Sequence, residues 1–190
     1  MASPKILVFA GSIRTGAFSG KLAAAAAKEL ALNDADVTLI SLADYPLPIF
    51  NGDLEKESGI PENAKKLARL IAANQGVFIT TPEYNNSLPA LLKNTIDWIS
   101  RIKADEVAYQ NRVYAIGSSA PGPVGGARAL MDLRKTIAPG LAGITLPGKV
   151  EVGRAADAFD ESGNLVAEAP AKLLKGLCNH LVELAGRLVD

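Results

Sequence analysis

Apolar runs of strand length alternate with segments of helix length along the 190 residues of this chain, and that alternation restricts the fold more than any other feature. Strands joined through helices run parallel, since the helix carries the chain back to the end of the sheet from which it left. Runs over 6–10, 37–40, 76–80 and 113–116 read as strands, and the stretches 22–32, 62–73, 89–102 and 127–137 read as helices. The alanine run inside 22–32 favours helix on propensity alone. Pro89 suits a first helical turn, where its missing N–H would have no partner in any case. A fifth strand falls near Ile144 or over 149–152, a last helix spans 170–188, and 159–165 reads as a hairpin-like excursion with Asp160, Ser162, Gly163 and Asn164 at its centre. The pattern predicts a three-layer α/β fold with a five-stranded parallel sheet in the order 2-1-3-4-5, whose switch point lies between strands one and three.

That order is flavodoxin-like, and composition narrows what such a chain can do. A hydrophobic content of 48% over 190 residues is enough for one full core, so residues 1–190 read as a single domain. Twenty Lys and Arg balance twenty Asp and Glu; no net field draws the protein to nucleic acid or to an anionic membrane, and small molecules are the expected partners. Cys178 is the only cysteine and His180 the only histidine, which excludes an internal disulfide and leaves no Cys/His cluster for a metal. The opening Met1-Ala2-Ser3-Pro4-Lys5 leads straight into the first strand without a signal-peptide core, and no apolar stretch approaches bilayer length. The expected location is the cytoplasm.

In an open α/β sheet, ligands bind beyond the carboxyl ends of the strands at the switch point, and two loops meet there. The first, Gly11-Ser12-Ile13-Arg14-Thr15-Gly16, has the glycine spacing of a P-loop, but Ala17 and Phe18 stand where Lys and Ser/Thr would serve an NTPase. Ile13 breaks the dinucleotide fingerprint, and strand two ends in Ser41 rather than in an acid for a ribose. What remains suits a monophosphate: hydroxyls from Ser12, Thr15 and Ser19, free amides at a helix start, and the fixed charge of Arg14. The second loop runs from Thr81 to Pro89, where Tyr84 can cover a ring face while the amides of Glu83, Tyr84 and Asn85 meet the ring's polar edge. A third segment, 118–128, follows strand four on the same edge and can line the ring from the other side. Taken singly, each stretch also fits a plainer reading: a strand-to-helix turn with a solvated arginine, a surface turn capped by Tyr84, a glycine-rich helix start. Phosphate seat and planar-ring site together point to a nucleotide-like cofactor.

Other residues carry less. His180 reads as a packing or surface histidine, and Trp98, among Ile96, Ile99 and Ile102, as core or interface anchor. Asp97 and Arg101 have the spacing of an i,i+4 ion pair. The 89–102 helix carries more apolar side chains than one sheet-facing stripe needs, which points to a partner helix.

Gly11-Ser12-Ile13-Arg14 with Gly16, Thr81-Pro82-Glu83-Tyr84-Asn85 with Ser87 and Pro89, Leu92-Lys93-Asn94, Ile96-Asp97-Trp98 and Gly125-Gly126-Ala127-Arg128 resemble, in order and spacing, the motifs of the NAD(P)H-dependent FMN reductases of the quinone, chromate and ferric reductase group. The resemblance implies a flavodoxin-like fold, bound FMN, NADH or NADPH as co-substrate, a homodimer or homotetramer, and small-molecule electron acceptors such as quinones, chromate or ferric chelates. It implies that Ser12, Arg14, Thr15, Ala17, Phe18 and Ser19 hold the phosphate and ribityl chain. Pro82, Glu83, Tyr84, Asn85 and Ser118 would border the isoalloxazine, with Ser87 in the same cofactor-binding set. No catalytic side chain is implied, because the flavin N5 carries the hydride chemistry and the protein orients the stacked nicotinamide. Ala17 and Ser19 depart from the family, which commonly has serine and asparagine there, so one hydroxyl contact to the phosphate is lost and another changed. The alternative is a flavodoxin-type electron carrier of the same fold; a carrier needs a marked acidic face, against which the zero net charge argues. A nucleotide-binding module without redox chemistry is a third reading.

Overall fold

A computed structural model describes residues 3–103, 107 and 109–188; Met1 and Ala2, the head of the segment read above for a leader, lie outside the described residues. The strands β1 (Lys5–Ala10), β2 (Asp36–Ile40), β3 (Gly76–Thr81), β4 (Val113–Ser119), β5 (Ile144–Thr145) and β6 (Val150–Val152) form one sheet. The order is β2-β1-β3-β4-β5, with all pairings parallel. Both positions considered for the fifth strand are strands, sharing one edge of β4: β5 lies opposite Val113 and Tyr114, and β6 opposite Gly117 to Ser119. Pro147 explains the break between them. The Leu146 N–H still reaches the Tyr114 carbonyl at 2.8 Å, and the next residue has no N–H with which to continue the ladder.

Alternation along the strands sorts the core into two layers. Leu7, Phe9, Val77 and Ile79 pack with α3 (Glu62–Ala72), α4 (Ala90–Ile99) and α5 (Ala127–Leu141). Ile6, Val8 and Phe78 pack with α1 (Phe18–Leu32) and α7 (Glu168–Gly186). Covered on both faces, β3 and β4 are buried throughout, which is why they read as unbroken apolar runs. The stretch between β2 and α3 contains a 3-10 turn at Leu42–Asp44 and the short α2 (Gly52–Ser58), and the 159–165 excursion after α6 (Ala155–Ala158) closes through a Phe159–Leu165 antiparallel bridge. α5 runs one turn beyond the predicted end, through Pro139, and stops at Ala142 in the left-handed region.

Of its two readings Trp98 takes the core place, and the ion pair expected on α4 is corrected. Trp98 is 0% exposed. Its indole N–H donates to the Pro48 carbonyl at 2.8 Å, and its ring meets Phe50 edge-on at 5.0 Å. The loop before α2 therefore absorbs the apolar surplus that suggested a partner helix. Asp97 and Arg101 do not pair: α4 ends at Ile99, so Arg101 leaves the helix surface and binds Glu55 of α2 at 2.9 Å, while Asp97 takes Lys93 at 2.6 Å.

Candidate active site

The β1–α1 loop is shaped by close packing beneath it. A Cβ on Gly11 would lie 2.8 Å from Leu92 Cδ2, and Gly16 turns the chain at φ +70° in open space, so the first glycine is held by packing and the second by a backbone conformation that side chains rarely adopt. The Arg14 amide donates to Ser12 Oγ at 3.3 Å, and the Arg14 guanidinium, exposed, donates to the Thr15 carbonyl at 3.2 Å. α1 then begins without a side-chain cap, since its N-cap is Ala17. Its first amides, at Phe18, Ser19 and Gly20, are left for a ligand, and the helix dipole adds a partial positive charge. Thr80 Oγ1 donates to the Ser19 carbonyl at 2.7 Å, which fixes this helix start against β3.

Opposite lies the β3–α4 loop. The Tyr84 N–H donates to the Ser87 carbonyl, and the Ser87 N–H to the Tyr84 carbonyl, both at 3.1 Å. Asn85 and Asn86 between them take φ of +50° and +64°, the left-handed pair that a two-residue hairpin turn demands and that asparagine tolerates. Tyr84 stands on this hairpin with 48% of its surface exposed. Its amide is spent on the hairpin and does not face the cleft as expected; the Glu83 and Asn85 amides have no partner among the described residues.

Ser12, Arg14, Ala17, Phe18 and Ser19 line one side of a cleft of about 150 Å3, Pro82, Glu83 and Tyr84 another, and Ser119, Ala120 and Pro121 a third. Eight of the residues expected to bind cofactor thus come together. Thr15, Asn85 and Ser87 lie near it in sequence but not on its wall: Thr15 and Asn85 are exposed, and the Ser87 hydroxyl donates to Asp132 Oδ2 at 2.6 Å. That bond, with the Lys135 ammonium behind it, holds the Asp132 carboxyl below its usual range. Ser118 is also off the wall: it is 0% exposed, and its Oγ donates to the Gly125 carbonyl at 2.6 Å. The next residue takes the expected place. Ser119 lines the cleft, 2% exposed, and its Oγ, like that of Ser19, has no hydrogen-bond partner among the described residues. A hollow of about 300 Å3 adjoins the cleft and shares Ser12, Arg14 and Tyr84 with it; Ile13, Pro89 and Leu91 make it apolar.

Two buried hydroxyls without partners are costly unless a ligand or water meets them. Here they sit in different walls of one cleft, beside an uncapped helix start and a guanidinium. This donor set fits FMN: anion donors at the α1 end, and an exposed aromatic with free amides at the other. Among the described residues no group of His, Cys, Asp and Glu could hold a metal ion, and no helix is long and apolar enough to cross a membrane. Burial pushes the Cys178 thiol far above its usual range, and it lies in the α1–α7 layer rather than in the cleft.

A flavodoxin-like sheet with such a cleft at its switch point defines a flavin-binding α/β protein, and comparison with known proteins gives the family. A model of the NADPH-dependent FMN reductases matches residues 4–157, and the chain belongs to that family. It is 37% identical over 133 residues to a quinone reductase of Escherichia coli (strain K12), covering 70% of this chain and 69% of that protein. It is 35% identical over 173 residues to a 2-hydroxy-1,4-benzoquinone reductase from a Burkholderia species, covering 90% of each. Among solved structures it is similar to FerB, a flavoenzyme NAD(P)H:(acceptor) oxidoreductase from Paracoccus denitrificans, with a TM-score of 0.76, 25% identity, and 97% and 98% of the two chains covered. The protein is an oxidoreductase with FMN as cofactor and NAD(P)H as reductant.

Proposed function

We propose that this enzyme transfers hydride from NADH or NADPH through FMN to quinones, with chromate and ferric chelates as further acceptors, in a ping-pong sequence. The observation that carries the reading is the pair of partnerless buried hydroxyls, Ser19 and Ser119, in different walls of the cleft beside Arg14. When bound, FMN supplies the centre that takes and gives hydride. Arg14 and the open amides of α1 neutralise the phosphate. Ser19 and Ser119 hydrogen-bond the cofactor from either side, and Tyr84 with the Glu83 amide seats the ring. The only acidic side chain on the cleft wall is Glu83, and its carboxylate already accepts the Arg128 and Ala129 amides at 2.9 and 3.2 Å. No side chain there is free to donate or take a proton, so of the two hydrogens that complete a hydroquinone one would come as hydride with both electrons from NAD(P)H and the other as a proton from solvent.

The active unit in this reading is a cytoplasmic homodimer or homotetramer. Ile13 and Tyr84 are 55% and 48% exposed around the apolar hollow, and a second copy would cover them. Nicotinamide and quinone use one accessible ring face in turn, so the first product leaves before the second substrate enters. Steady-state rates with NADPH and a benzoquinone should give parallel double-reciprocal lines. Intersecting lines would refute the shared face.

A further inference from the structure

α5 starts at a residue that cannot cap it. Gly126 sits at φ +89°, and a Cβ there would lie 3.0 Å from Ser118 Cβ and 3.5 Å from Glu83 Cβ. A side-chain cap at the N-cap position is therefore excluded, and the helix's first amides need an acceptor from elsewhere. Glu83 supplies it from 45 residues away: Oε2 accepts from Arg128 N at 2.9 Å and from Ala129 N at 3.2 Å, while Oε1 lies 3.6 Å from Arg128 Nη1. The carboxylate is 14% exposed, where helix dipole and charge-assisted bonds act with little screening. One turn further along α5, Asp132 accepts the Ser87 hydroxyl at 2.6 Å. The Tyr84 hairpin is thus fastened to α5 on both sides of its Asn85-Asn86 tip.

The third wall of the cleft, Ser119 to Pro121, leads through the glycine-rich loop into this same helix. We infer that Glu83 is a positioning residue, a strut whose carboxylate ties the Tyr84 wall of the cleft to the start of α5 and so sets the spacing into which the flavin ring fits. Its side chain acts through α5 and offers nothing to the ring directly. The inference rests on the FMN reading of the site.

The test uses the full chain stripped of and reloaded with FMN. Glu83→Ala removes both acceptors; Glu83→Gln keeps one oxygen for the amides and guards against a general folding defect. In the FMN-free protein, hydrogen exchange at the Arg128 and Ala129 amides should accelerate at least tenfold in Glu83→Ala and recover most of its protection in Glu83→Gln. FMN titration by flavin fluorescence should show Kd raised by about tenfold or more in Glu83→Ala, because the ring must then order a wall that Glu83 holds in place beforehand, and the visible circular dichroism of the bound flavin should change and return in Glu83→Gln. Unaltered exchange at both amides would overturn the strut. Accelerated exchange with wild-type Kd and wild-type flavin dichroism would overturn its role in seating the ring. Failure of the wild-type chain to bind FMN would instead refute the site's assignment, and the exchange experiment alone would then decide whether the clamp exists.

Discussion

Replacing Ala17 by serine should improve this protein twice through one atom. α1 has no side-chain acceptor at its N-cap, so a hydroxyl placed there can take the Ser19 or Gly20 amide that now has none. Such a cap is worth roughly 0.5–2 kcal/mol, typically about 1. In a chain of this size that raises the melting temperature of the FMN-free protein by about 2–4 °C. Ala17 also lines the cleft, and the hydroxyl proton stays available for the phosphate while the oxygen accepts from the helix. A bond to a charged group contributes about 1.5–3 kcal/mol, offset in part by the amide that the cap withdraws from the phosphate, so FMN should bind tighter by up to about tenfold. Differential scanning calorimetry of the FMN-free protein reads the first effect, and fluorescence titration with FMN reads the second. Unchanged melting temperature would mean that the start of α1 is already satisfied. A raised melting temperature with unchanged Kd would put the phosphate somewhere other than this helix start.

Three further outcomes follow from the same geometry. Ser119→Ala should weaken FMN binding severalfold while leaving the FMN-free protein as stable or more so, by up to about 1 kcal/mol, because a buried hydroxyl without a partner is removed; urea denaturation with and without FMN separates the two, and a loss of stability in the FMN-free state would contradict the assignment. Ser87→Ala removes the first cause of the lowered Asp132 pKa. A carboxyl whose pKa is depressed by folding stabilises the fold above its ordinary value and ceases to do so as pH falls through the lowered one, so the variant's urea midpoint should lie below wild type at pH 7 and converge with it in acid; a deficit independent of pH would refute the contact. Cys178, fully buried with its thiol pushed up by desolvation, should resist thiol reagents in the native protein at pH 8 and react on unfolding; a fast native reaction would contradict its placement.

The parts of the site that sequence exposed are those set by local rules. Gly16 and the loop after β1, or the position of Tyr84 beyond a buried strand, follow from turn chemistry and strand endings a few residues away. Ser119 was hidden beside Ser118 because β4 is buried on both faces; with no polar-apolar alternation, neighbouring serines cannot be assigned to opposite sides of the sheet. The role of Glu83 was hidden for a different reason: its partners lie 45 and 46 residues on, and nothing local marks a carboxylate that caps a distant helix. Trp98 shows the same limit, since its acceptor, the Pro48 carbonyl, is 50 residues back. The split fifth strand was legible as two alternatives, but only pairing with one edge of β4 reveals that both are used.

On the proposed function, NAD(P)H and a quinone act in turn on FMN held in the Ser19–Ser119 cleft. Anaerobic mixing of the FMN-loaded protein with NADH or NADPH, followed by a benzoquinone, tests it in one cuvette. The visible absorbance of the oxidised flavin should bleach with at least one of the two nucleotides and return in full on addition of the quinone. Failure of both nucleotides to bleach it would contradict the account and leave the electron-carrier alternative.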